Sequence, residues 1–228
     1  MTMHYHGTDV PVRVLYELTG RCLCVSYLGT RKREVEIAHR IAQSIMLDNG
    51  AFSVWRAGKA ADWAGFYRWV EPWLDHHTTW AVIPDVIDGD EAANDNLLAQ
   101  WPHGTRGAPV WHMHEPVARL LRLAERWPRI CIGSSGQYAI VGDACWHARM
   151  VVAMNELCGN GPPPVWLHML RGMALGGSIY PFASVDSSDI ARNHNRPQNS
   201  PRAMADRWDA MQCPGRWAVQ PVQLELVA

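Results

Sequence analysis

Short apolar runs rich in β-branched and aromatic residues recur along the chain, and between them the apolar positions shift to helical spacing. The runs cover 22–27, 44–47, 80–83, 109–113, 130–132, 165–169 and 182–185. Each is too short for a stable helix and reads as a strand. Helical spacing covers 33–43, 61–74, 90–100, 115–126 and 143–158. In the fourth of these spans Val117, Leu120, Leu121 and Ala124 share one face, with the arginines off it. Strands alternating with helices predict a parallel sheet joined by right-handed crossovers. The expected fold is therefore α/β, a single (β/α)8-type barrel occupying 1–228 as one domain, with an open doubly wound sheet as the alternative. Seven strands are visible, so the eighth unit is irregular, missing or hidden near an end. The tail over 217–227 is a candidate edge strand, and 193–201 reads as a loop.

Polar groups gather where these strands end. Asp48 follows the second run, Asp85 the third, His112 and His114 close the fourth, and Gly133-Ser134-Ser135-Gly136-Gln137 follows the fifth. Arg171 follows the sixth and Asp186 the seventh. One such acid is an ordinary turn or cap residue. Three on one rim with a Gly/Ser loop match the place where barrel enzymes carry their active sites. Two carboxylates facing each other across a pocket can perform double displacement at an anomeric carbon, one attacking and the other passing the proton. The Gly/Ser turn has too little bulk to fill a pocket and can offer N–H groups and hydroxyls to a flat ligand, or be a plain tight turn.

These segments carry a resemblance. Asp48-Asn49-Gly50-Ala51-Phe52 is similar to the Asp-Ser-Gly-Gly-Phe signature of the tRNA-guanine transglycosylases. Pro84-Asp85 resembles that family's base-recognition acid, Ile132-Gly133-Ser134-Ser135 its Ile-Gly-Gly loop, and Ser184-Val185-Asp186-Ser187 its nucleophile strand. Tyr180 to Ser187, followed by Ala191-Arg192-Asn193, resembles the DNA-acting branch, the DpdA-like deazapurine DNA-modification transglycosylases of phages and bacteria. The likeness covers roughly residues 20 to 196, and its specificity lies in the order of the motifs and their position after strands.

The resemblance implies base exchange without backbone cleavage. Asp186 would attack C1′ of a guanosine, and Asp48 would protonate the leaving guanine and then accept the N9 proton of an incoming 7-deazaguanine of the preQ0 type. It further implies that Asp85, Gly133, Ser134 and Ser135 contact the base, that Phe52 stacks on it, and that His112, His114 and Gln137 line the pocket. The partners are then guanine sites in DNA, contacted by Arg192 and Arg196, and a free deazaguanine, with accessory modification proteins as further candidates. No cofactor is expected. The sequence also departs from the family: Asn49 and Ala51 stand where the family has Ser and Gly, and Cys213 is the only cysteine after Asp186. The family's Cys-x-Cys-x2-Cys zinc site therefore cannot be built, and with the tRNA-gripping region missing or shortened, DNA or a nucleoside is favoured over tRNA.

Composition modifies this picture in two places. The formal charge is -1, so there is no global basic footprint for nucleic acid, yet all but Lys32 and Lys59 of the 21 basic residues are arginine. GC-rich coding and a local phosphate-binding patch account for that bias equally well. The six cysteines are scattered without a CxxC pair, no run approaches membrane-helix length, and the N-terminus lacks a signal-peptide pattern. The expectation is a cytoplasmic protein with reduced thiols and no membrane contact. Two rival readings use the same residues. His112-x-His114 with His168 and Asp186 can be read as an amidohydrolase-like metal site, or as pocket lining and packing. Arg192, Arg196, Arg202 and Arg207 can be read as a non-catalytic nucleic-acid module, or as solvated surface. Cys22 and Cys24 read as thiol packing, and His4 and His6, placed before the first strand, as solvated or groove-reaching.

Overall fold

The computed structural model of the protein describes residues 1–28 and 32–222, with residues 32 and 33 described by backbone alone. Among these residues nine parallel strands form one sheet: β1 (Met3–Gly7), β2 (Cys22–Ser26), β3 (Ser44–Asp48), β4 (Thr79–Val82), β5 (Gly107–Ala108), β6 (Val110–His112), β7 (Arg129–Gly133), β8 (Trp166–Met169) and β9 (Ser184–Ser187). Their order is β5-β4-β3-β2-β1-β9-β8-β7-β6. The two ends of that order, β5 and β6, are consecutive in the chain and separated only by Pro109. Proline has no N–H to give a ladder, which interrupts the strand there. Gly107 and Ala108 pair with β4, Val110 and His112 pair with β7, and the Pro109 carbonyl accepts from the Cys131 N–H at 2.9 Å. The sheet thus comes round into a nearly closed parallel barrel in which 107–112 serves as one stave.

The expected barrel is present, and the hidden eighth unit is β1. It pairs with β2 on one side and β9 on the other. The expectation for His4 and His6 is thereby corrected: both are strand residues, 3% and 1% exposed, and neither is solvated. They face outward from the barrel, where His6 Nε2 meets Asp209 of α9 (Pro201–Asp209) at 3.0 Å. The tail is corrected too. A barrel that comes round on itself offers no open edge for a strand to extend, and 217–222 form none; instead Trp217 stacks on Tyr180 at 5.6 Å. The remainder of that candidate strand, 223–227, lies outside the described residues.

Period-two alternation divides the strand residues between two cores, as in a sheet buried on both faces. Inward residues Tyr5, Cys22, Met46, Trp80, Val82, Val110 and Cys131 fill the barrel. Outward residues of β2, β3 and β4 pack beneath α1 (Val12–Glu17), α2 (Lys32–Ile41) and α4 (Trp63–Val70). Those of β6 to β9 pack beneath α6 (Val117–Arg126) and α7 (Ala144–Cys158). Each fully buried Leu, Ile or Val there contributes about 1.5–3 kcal/mol of transfer free energy. Moving toward the C-terminal ends of the strands, the inward positions turn polar or small: Gly7, Ser26, Asp48, His112, Gly133 and Asp186. The apolar filling stops at mid-barrel, and a polar cavity opens above it.

Helix boundaries follow the predicted spans, with Asp62, Asp90 and Asp143 capping α4, α5 (Glu91–Ala99) and α7 by accepting from backbone N–H groups three residues on. Arg119 differs from expectation. It is off the apolar face of α6 yet only 2% exposed, because it bonds Glu115 at 2.8 Å, Asp95 at 2.9 Å and the Val110 carbonyl at 2.8 Å. Among the described residues all six cysteines are free, and no helix is long and apolar enough to cross a membrane.

Candidate active site

The cavity above the barrel core has a volume of about 550 Å³ and is lined from nearly every stave. Three acids predicted at strand ends, Asp48, Asp85 and Asp186, all line it. Asp48 ends β3, in register with Ser26. The turn beyond it requires Gly50, whose φ is +74° and where a Cβ would lie 2.6 Å from Leu28. That turn starts α3 (Ala51–Arg56), a helix too short to be read from the sequence, and brings Phe52 to the cavity wall.

The carboxyl of Asp48 is pushed up to about 6. Burial is the main cause, followed by the charge of Asp186 and, more weakly, that of Asp85; bonds from Ser26 and the Gly50 N–H partly offset them. When folded, Asp48 keeps its proton to about pH 6, whereas the ordinary value is 3.8. The folded chain therefore holds the extra proton between those pH values, and stability falls as pH rises through them, by on the order of 3 kcal/mol in all. Asp48→Asn cannot ionise and escapes that loss. Urea unfolding should find the variant about 2–3 kcal/mol more stable than wild type at pH 7.5, with the difference shrinking towards pH 4. A gap independent of pH would contradict this account.

Asp186 is held differently. Its Oδ1 accepts the Arg171 backbone N–H at 2.6 Å, and His168 Nε2 lies 3.3 Å from the same oxygen without hydrogen-bond alignment. His168 is fully buried and anchored through Nδ1 to Ser184 Oγ at 2.8 Å. Arg171 has φ +57°, the one non-glycine residue among those described in the left-handed region. Its guanidinium donates to the Ser134 carbonyl at 2.9 Å and sits 4.2 Å from the Phe52 ring centroid. One residue thus orients a carboxylate with its backbone and closes the cavity wall with its side chain.

Asp85 is 7% exposed and has both oxygens engaged. Oδ1 accepts from Asn49 Nδ2 at 2.8 Å, and Oδ2 meets His112 Nε2 at 2.9 Å. His112 Nδ1 is buried without a partner. It packs on β7 because Gly133 leaves room: a Cβ there would come within 2.9 Å of that nitrogen. The turn after β6 is fixed by Glu115, which accepts from the His112 N–H at 2.9 Å, from Asn94 at 2.9 Å and from Arg119.

The other predicted residues divide. Phe52, His112, Gly133, Ser134 and Arg192 line the cavity with the three acids; Ser135, His114, Gln137 and Arg196 do not. The Ser134 hydroxyl is occupied by the Trp146 indole N–H at 2.9 Å. His114 is tied through its two nitrogens to Ser135 Oγ at 2.6 Å and to the Gly89 carbonyl at 2.8 Å. Gln137 is exposed and bonds Tyr138, and Arg196, Arg202 and Arg207 are on the surface. The four residues His112, His114, His168 and Asp186 do not converge on one point, and among the described residues no three His, Cys, Asp or Glu form a group that could hold a metal. Asn49 and Arg171 were not singled out as active-site residues from the sequence, and His168 only as a ligand in the metal-site reading. Arg171 and Asn49 each follow a strand, which is the one signal that could have marked them. Comparison with protein-family models, curated proteins and solved structures finds no match for this chain.

Proposed function

We propose that the cavity exchanges a guanine base in DNA for a free 7-deazaguanine, through a covalent glycosyl intermediate on Asp186. The observation that carries the reading is the division of labour between two carboxylates in one cavity. Asp48 retains a proton up to about pH 6, while Asp186 in the same cavity is oriented by the Arg171 backbone N–H that its Oδ1 accepts at 2.6 Å. A group poised to give a proton beside one poised to attack is what double displacement at C1′ requires.

In this reading Asp186 attacks C1′ and forms an ester as the bond to guanine breaks, and the Asp48 proton passes to the departing base. Guanine leaves, and a 7-deazaguanine takes its place. Asp48, now ionised, accepts the N9 proton; the freed nitrogen pair attacks C1′, and Asp186 departs as carboxylate. The cavity is of ordinary size for a small organic ligand and suits a base with its sugar, provided the guanine is drawn out of the stack. Arg171 and Phe52 supply a flat wall for the base, Asp85 with Asn49 and His112 a polar edge, and Arg192 a cation for backbone phosphate.

The test uses wild-type protein, guanine-containing DNA and a labelled 7-deazaguanine. Label should enter the DNA with release of one guanine per base incorporated, and with no strand scission. Absence of both incorporation and guanine release would defeat the proposal.

A further inference from the structure

At the opposite end of the barrel, where the strands begin, a second cavity of about 530 Å³ is lined by the first residues of three staves: Thr79 and Trp80 of β4, Arg129 of β7 and Trp166 of β8. Arg129 points inward, as Cys131 two positions on also does. Its guanidinium lies 4.5 Å from the Trp80 ring centroid and 5.5 Å from that of Trp166. Among the described residues it has no carboxylate partner and no side-chain hydrogen bond, and its Nε is buried and unpartnered. The ionisable groups that face it from the barrel interior are Tyr5 and Cys131, and burial holds both neutral. The one acid on the rim, Asp75, is already taken by Arg106, another lining residue, at 2.6 Å.

A half-buried cation without a counter-charge is costly, and a guanidinium fork is the side chain best matched to an oxyanion. Two indoles hold this one in place without neutralising it. Two guanidinium groups, one inside and one at the rim, offer donors from different directions, which a tetrahedral oxyanion can use together better than a planar carboxylate can. The cavity is also larger than a bare anion fills, and it has an aromatic wall in Trp166. We infer that this lower cavity binds the phosphate group of a small phosphoester, with Arg129 as the principal contact and Arg106 at the rim. The site stands apart from the chemistry at the other end of the barrel and does not depend on it.

Calorimetric titration of the full chain in phosphate-free buffer tests this, with inorganic phosphate and adenosine monophosphate as separate probes. Wild type should bind one equivalent of the nucleotide, and bind inorganic phosphate more weakly. Equal affinity for the two would mark free phosphate as the ligand source and overturn the phosphoester assignment. Arg129→Met keeps the length of the stem between the indoles and should weaken nucleotide binding at least ten-fold. Arg106→Ala should weaken it several-fold, and it provides the readout if Arg129→Met does not fold. No saturable binding by wild type, or wild-type affinity in Arg129→Met or in Arg106→Ala, would overturn the inference.

Discussion

Asp186→Asn is expected to lower base exchange by on the order of 10⁴-fold while leaving the fold and DNA binding in place. The size of the effect follows from the chemistry. A neutral amide cannot form the glycosyl ester, so the double displacement loses its first bond. The mildness elsewhere follows from the geometry. Asn keeps an Oδ1 for the Arg171 N–H that Asp186 now accepts at 2.6 Å, and His168 remains anchored to Ser184. Single-turnover incorporation of a labelled 7-deazaguanine measures the loss, and fluorescence anisotropy with guanine-containing DNA measures retained binding. Near wild-type incorporation would exclude Asp186 as the nucleophile.

Asp48→Asn is the second large effect, about 10²- to 10⁴-fold on exchange at the pH of maximum activity. Two further signatures separate loss of a proton donor from general damage. The wild-type rate of guanine release should decline above about pH 6 as Asp48 ionises, and the variant should lose that limb. A base that leaves without protonation should also rescue the variant. DNA carrying 7-methylguanine, whose base is already cationic in the glycoside, should release it from Asp48→Asn at a rate approaching wild type. The same substrate should not rescue Asp186→Asn. Equal impairment of Asp48→Asn on guanine and 7-methylguanine would remove Asp48 from the role of acid.

Most staves were legible because the outward positions of β2 to β9 meet helices and the inward ones meet each other, so short apolar runs mark them. β1 escaped because its sequence, Met-His-Tyr-His-Gly, carries two imidazoles on the outward face. They are buried there because helices from far along the chain pack on β1 and bring Asp209 to His6. The same logic divides the site. Asp48, Asp85 and Asp186 were readable because an acid at the end of a strand is a local feature. Arg171 was not, since its role depends on a left-handed backbone and on contacts with Ser134 and Phe52 that no local pattern encodes. Asn49 was readable only as a departure from a signature; its function as the partner of Asp85 required the third and fourth staves side by side. Ser135 and His114 lie next to the predicted rim in sequence, yet they bond each other outside the cavity.

The placement of β1 sets the order of events during synthesis. Asp48 lies on β3 and Asp186 on β9, with β2 and β1 between them, so the two acids become neighbours only when the earliest stave has captured the latest. Met3 pairs with Ser184, and Thr2 bonds Gln212 and Cys213 across the same seam. Closing so long a loop adds little to its entropic cost, about 0.6 kcal/mol per doubling of length, but pairings this distant in sequence slow folding. The first stave emerges from the ribosome long before its second partner exists, and it waits with one edge unsatisfied. A nascent chain that stops short of β9 therefore has Asp48 and Asp85 but not the Asp186 that opposes them. The cavity comes into being late, with closure of the ring.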